Sequence, residues 1–269
     1  MSKIALWRAP QTPGSRPRKM LPLARRYAAA LALMLIAMVL LEWALPAAGV
    51  PPYLLPPPSR VVARLLDPHS DLAGHAVATG VAATIGLIIG AAAGLALAIA
   101  FVQLRPLEDA LYPWVLLSQS IPAAALAPLL TIWLGDGMAP RAAMAALFAF
   151  FPILVGAVHG LRAVAPEELA LMRAWGARPW AVLCHLRLPT ALPAIFSGLK
   201  VAAALAVVGT IVSELAGSGR GLGFVISVAT YHLATDRVFA AVTLATIISL
   251  GLHIALATIE RGVVFWKRD

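Results

Sequence analysis

Four stretches of the chain contain no Asp, Glu, Lys or Arg: Ala76 to Val102, Ala110 to Gly135, Ala142 to Leu161 and Val238 to Ile259. Wound as a helix, each crosses roughly 30 Å of hydrocarbon at about 1.5 Å per residue. Two further apolar blocks are shorter or interrupted. Ala28 to Leu45 is broken only by Glu42 near its end, and Ile195 to Leu215 carries Lys200 near one end and Glu214 near the other. The pattern predicts an all-α membrane protein, a polytopic bundle of about six transmembrane helices. The basic run before Ala28 is too long, and the apolar block after it too lasting, for a cleaved signal peptide, so Ala28 to Leu45 is read as retained. Residues 1 to 27 form a basic tail, and residues 28 to 269 one membrane domain.

Between the spans, one segment stands apart. Pro166 to Gly198 is amphipathic, basic and punctuated by Gly and Pro. Pro166 suits the first position of a helix, Glu167 and Glu168 complement the positive end of its dipole, and Gly176 is placed to end it. Leu169, Met172 and Trp175 recur every third residue and mark one apolar face, with Arg173 and Arg178 pointing elsewhere. A second short helix is expected from Pro179, with Trp180, Leu183 and Leu186 on one side, stopping before Pro189. Two readings stay open from amphipathicity: a docking surface, or an interfacial helix pair with arginines at lipid phosphates and tryptophans at headgroup level.

Composition agrees with the pattern: 61% of residues are hydrophobic and 12% charged, with a mean hydropathy of +0.88. Charge sets the orientation. Of 21 Lys and Arg, only Arg60, Arg64, Arg141, Arg220 and Arg237 fall on one side of six spans; the others share a side with both termini and the 166 to 198 segment. Positive charge marks that side as cytoplasmic. Topology thus accounts for the net charge of +9, no nucleic-acid-binding motif accompanies it, and nucleic acid is set aside as a partner. The Pro-rich Val50 to Ser59 reads as a stiff linker on the outer face, and the small residues of Gly86 to Ala100 as close helix packing. A single Cys184 excludes an internal disulfide.

Candidate chemistry is sparse. There is no GxxxxGK[ST] phosphate loop, GSGRGLG at Gly217 departs from GxGxxG at Leu222, and the six histidines form no HExxH. Without a GxSxG elbow there is no argument for hydrolase chemistry either. No catalytic residue, metal or bound cofactor is assigned.

Three segments together carry a family resemblance. Gly176 and Leu188-Pro189, with QSIPAAALAPLLTIWLG (Gln119 to Gly135) and GSGRGLGFVI (Gly217 to Ile226), resemble binding-protein-dependent ABC import permeases, whose cytoplasmic loop runs EAA, three further residues, Gly, then LP. The resemblance covers most of the chain from Tyr53 onward. It departs at the Glu-Ala-Ala positions, which are Ala170, Leu171 and Met172, with Glu167 and Glu168 slightly upstream.

The resemblance implies a permease of the bacterial inner membrane: two copies form the pathway, two ATP-binding cassette subunits grip a coupling loop (165 to 193), and an outside binding protein delivers solute. ATP is used by the partner subunit. ATPase contact is expected at Glu167, Glu168, Leu169, Met172, Arg173, Trp175, Gly176, Ala177, Leu188 and Pro189. Pathway candidates are Ser118, Gln119, Ser120 and Pro122, near the middle of the third span, and Glu214. Alternatives stand beside them: Gln119 bonding a neighbouring helix, the prolines as kinks, and Glu214 near an interface simply reaching water. Among substrates, AVVGTIVSELAGSGRGLG and LMRAWGA lean toward thiamine-pyrimidine precursors or riboflavin, ahead of sulfonates, taurine or nitrate. The rivals are a membrane-embedded transferase, which needs clustered Asp, His or Arg at one face, and a non-transporting assembly subunit.

Overall fold

The computed structural model describes residues 23–266, and among them every regular element is helical. Helix α1 (Leu23–Ala47) precedes a short α2 (Pro58–Leu66) and the long α3 (Leu72–Gln103). Then come α4 (Arg105–Ser118), α5 (Ala123–Leu134), α6 (Met138–Arg162) and the short α7 (Pro166–Ala174). Helix α8 (Pro179–Val182) leads through a π-wound turn into α9 (Leu188–Leu215), followed by α10 (Leu222–Tyr231) and α11 (Thr235–Val263). The tail expected over residues 1 to 27 is helical from Leu23; its first 22 residues lie outside those described.

Among the described residues four helices are long and apolar enough to cross a membrane: α3, α6, α11 and the 37-residue run Pro179–Leu215. Two expectations change. The charge-free stretch Ala110 to Gly135 is not one span but α4 and α5, parted at Gln119 to Pro122. Pro122 has no N–H to donate and crowds the residue before it, so the helix ends there and restarts with Pro122 as its cap. The block Ile195 to Leu215 is a span as expected, but its helix begins earlier, at Pro179, and is the longest among the described residues.

The centre is a trio in which α6 packs between α3 and α9. Small residues make this possible. A Cβ on Gly86 would fall 2.3 Å from Ala145 Cβ, and one on Gly198 would fall 2.7 Å from the Pro152 carbonyl oxygen. Hydrocarbon offers no hydrophobic drive for helices to associate, so close backbone approach and interhelical polar contacts hold the bundle. The Gly86 to Ala100 stretch is thus packing surface, as expected. For the same reason the wide exposure of α1, where Trp43 is 76% accessible, costs nothing against lipid.

Polar ties fasten the periphery. Glu42 of α1 accepts from the backbone N–H of Ser59 at 2.9 Å and from its hydroxyl at 2.6 Å, so it caps the N-terminus of α2. Arg64 of α2 pairs with Asp236 of α11 at 3.0 Å, and Lys200 of α9 with Glu260 of α11 at 2.8 Å. The Pro-rich linker therefore ends in an anchored amphipathic helix.

Candidate functional site

The 163 to 189 segment lies at one end of the trio, here called the loop end. Helix α7 starts at Pro166 with Glu167 and Glu168 in its first turn. It stops where Gly176 turns left-handed, at φ +73°. The Gly176 N–H then donates to the Arg173 carbonyl at 2.9 Å and the Ala177 N–H to the Met172 carbonyl at 3.0 Å. This is the paired closure of a Schellman cap, for which glycine is favoured. The expected apolar face is corrected. Leu169 and Met172 are half-buried, whereas Leu171 is 54%, Trp175 78% and Trp180 67% exposed. Leu171 and Trp175 stand one turn apart on the same side, and this pair, not the 169-172-175 stripe, is the apolar face offered outward.

The second short helix does not stop before Pro189. Leu188 N–H donates to the Leu183 carbonyl, one residue further back than in an α-helix, and this widened turn over Leu183–Arg187 carries the helix past the proline. Leu188 and Pro189 thus lie inside one continuous helix. It begins at Pro179 beside the exposed Trp180 and ends at Leu215, about 55 Å away at 1.5 Å per residue.

Ser118, Gln119, Ser120 and Pro122 all sit at the break between α4 and α5, and all four are exposed. Ser118 Oγ donates to the Val115 carbonyl of its own helix at 2.7 Å. Among the described residues no hydrogen bond joins the Gln119 side chain to a neighbouring helix. Unpaired backbone within a membrane must face protein or a watery cavity, not lipid.

The far end of the trio holds what the sequence concealed. Glu214 does not reach water: it is 1% exposed. Its carboxylate accepts from Thr79 Oγ1 of α3 at 2.9 Å and from the Gly223 N–H at 2.8 Å. Thr79 Oγ1 in turn accepts the Leu222 N–H at 2.8 Å, and His75 Nδ1 accepts the Gly221 N–H at 3.0 Å. Buried side chains from α3 and α9 thereby satisfy the first N–H groups of α10. Arg141 of α6 adds positive charge, with Nη1 3.8 Å from Glu214 Oε1 and Nε donating to the Gly137 carbonyl at 2.6 Å. The fit demands glycine: a Cβ on Gly221, at φ +114°, would sit 2.1 Å from the Glu214 carboxyl. One signal was available, a carboxylate closing an apolar block just ahead of GSGRGLG; its side-chain partners Arg141 and Thr79, 73 and 135 residues upstream, give no local sign.

Glu214 also borders a recess of about 450 Å³ with Asp136, Ser218 and Ser227. The α4–α5 break does not border that recess. A larger groove of about 860 Å³ runs between α6 and α9, lined by His159, Pro193 and Ser197 among others. Among the described residues no three His, Cys, Asp or Glu side chains converge as metal ligands would.

The fold is a bundle of apolar, membrane-length helices joined by small-residue contacts, with a buried polar clasp at one end. The chain belongs to the family of binding-protein-dependent transport system inner membrane components, which matches residues 86–264. A probable ABC transporter permease of Haemophilus influenzae is 34% identical over 83% of this chain and 92% of its own length. The riboflavin transport system permease RibX of Chloroflexus aurantiacus is 33% identical over 81% and 82%. The formylaminopyrimidine transport permease ThiX of Halalkalibacterium halodurans is 30% identical over 91% and 98%. The taurine permease TauC of Escherichia coli is 28% identical over 82% of each chain. The protein is thus a multi-pass membrane permease subunit of the ABC importer class, and its relatives are named as transport proteins, not enzymes.

Proposed function

We propose that two copies of this chain form the pathway of an ATP-driven importer for a small heterocyclic solute, of the pyrimidine-precursor or riboflavin kind. ATP is bound and hydrolysed in separate cassette subunits, and an outside binding protein supplies the solute. The loop end faces the cytoplasm, because most Lys and Arg lie on that side, and both termini share it.

One observation carries the reading: the helix that reaches Glu214 and the far-end clasp begins at Pro179, directly after the turn that closes the docking helix α7. A cassette seated on Leu171, Trp175 and Trp180 moves α7, the chain turns at Gly176, and the helix from Pro179 carries the displacement to Glu214. There it pulls on α10 through the Gly223 and Thr79 hydrogen bonds. Glu167, Glu168, Arg173 and Ala177 surround the contact, while Leu169, Met172, Leu188 and Pro189 hold the segment to the bundle. The exposed α4–α5 break is covered by the second copy, so that Ser118, Gln119, Ser120 and Pro122 of both line a wet path.

Support for a heterocycle comes from RibX and ThiX, which are named for such solutes. The test is isolation of the tagged chain from its native membrane in mild detergent, with mass spectrometry of proteins bound in comparable amount. Recovery of an ATP-binding cassette protein agrees with the proposal; recovery alone, where a known ABC complex survives, overturns it.

A further inference from the structure

Beside α7, at the loop end, lies a recess of about 600 Å³ walled by Val102, Arg105, Glu108, Asp109, Leu161, Arg162, Leu169 and Arg187. Five stretches of chain supply those walls: α3, α4, α6, α7 and the π-wound turn. Its charges do not balance. Arg162 pairs with Glu108, but no described carboxylate lies within ion-pair distance of the half-buried Arg187. Arg162 and Arg173 lie near it with charge of its own sign, while two carboxylates, Asp109 and the Arg162-paired Glu108, also line the recess against three arginines. Arg173 lies one helical turn beyond Leu169 on α7, exposed and outside the recess lining, and adds positive charge to the docking helix beside the recess. A partly desolvated guanidinium among like charges is costly unless an anion completes it.

On these grounds we infer that the recess is a socket for an acidic side chain of the ATP-binding subunit, held by Arg187 and Arg173. The inference rests on the reading of α7 as the docking helix and adds its charge. Apolar anchorage at Leu171 and Trp175 then sits beside an ion pair, and the permease contributes the cation. That fits the absence of a carboxylate at Ala170, Leu171 and Met172. An acid from the docked subunit suits the site better than a lipid phosphate, because the recess is continuous with the docking helix through Leu169. Guanidinium forks hold carboxylates in two parallel hydrogen bonds, and such pairs weaken with salt.

The test uses the permease with its ATP-binding subunit in nanodiscs of phosphatidylcholine alone, and again with phosphatidylglycerol added. Affinity is measured across a salt series for Arg187→Gln, Arg187→Lys, Arg173→Gln and Trp175→Ala. In neutral lipid, Arg187→Gln and Arg173→Gln are expected to bind on the order of tenfold more weakly at low salt, with a flatter salt dependence; Arg187→Lys keeps part of the affinity. Trp175→Ala weakens binding without changing the salt slope. Wild-type affinity and slope for both glutamine variants, with Trp175→Ala impaired, overturn the socket and leave the docking reading intact. A defect that appears only with phosphatidylglycerol also overturns the socket, since the occupant is then a lipid headgroup. If Trp175→Ala binds normally as well, the docking reading falls with it.

Discussion

Replacing Thr79 by valine removes one oxygen and nearly preserves shape, and that oxygen performs two tasks. It donates to Glu214 at 2.9 Å and accepts from Leu222 N–H at 2.8 Å, in a site with no measurable solvent exposure. A hydrogen bond to a charged group contributes about 1.5 to 3 kcal/mol, and an orphaned buried donor costs about 1 to 3 kcal/mol. Interhelical hydrogen bonds in bilayers average nearer 0.6 kcal/mol because the unfolded state in the membrane also finds partners. Weighing these, Thr79→Val should lower stability by about 2 to 3 kcal/mol. The assay is equilibrium unfolding by sodium dodecyl sulfate in mixed micelles, with two controls. Thr84 donates only to the Gly80 carbonyl of its own helix, so Thr84→Val should cost about 0.5 kcal/mol or less. Thr79→Ser keeps both hydrogen bonds and should lose about 1 kcal/mol for its methyl group. If Thr79→Val and Thr84→Val are equally mild, the oxygen does not hold the far end together and the clasp argument fails.

Other substitutions probe different joints. Gly221→Ala forces a Cβ to 2.1 Å from the Glu214 carboxyl at φ +114°, and should destabilise by about 3 kcal/mol or more; Gly219→Ala, with nothing within 4 Å, should be tolerated in the same unfolding assay. Gly176→Asp retains membrane insertion, since a Cβ there meets open space, but burdens the turn at φ +73°, and is expected to uncouple ATP hydrolysis from transport; normal uptake by this variant would sink that role. A double-mutant cycle on Lys200 and Glu260, paired at 2.8 Å and each about a quarter exposed, should give a coupling of about 1 kcal/mol, and a value near zero would show that the pair does not fasten α11 to α9.

What the sequence made legible was local. Charge-free stretches revealed α3, α6 and α11 because a helix in lipid needs little else, and the turn at Gly176 followed from cap chemistry within six residues. The break at Gln119 to Pro122 was harder to see. Pro152 and Pro193 remain inside continuous helices, so proline alone does not tell a kink from a gap. The run past Pro189 depends on a π-wound turn over Leu183–Arg187, in which Leu183 is buried, and no local pattern announces it. Glu214 was least legible of all, because its surroundings come from α3, α6 and α10, and a carboxylate near a span end looks the same in sequence whether it meets water or a closed polar site.

The central claim is that this chain carries solute when a cassette subunit hydrolyses ATP, and it is tested most directly in proteoliposomes. The permease is reconstituted with its ATP-binding subunit, and the binding protein is added loaded with labelled riboflavin, formylaminopyrimidine or taurine. The expected result is ATP-dependent accumulation of a heterocycle, abolished when the cassette cannot hydrolyse ATP and strongly reduced in Gly176→Asp. Accumulation that proceeds equally without ATP, or none for any solute the binding protein holds, would contradict it.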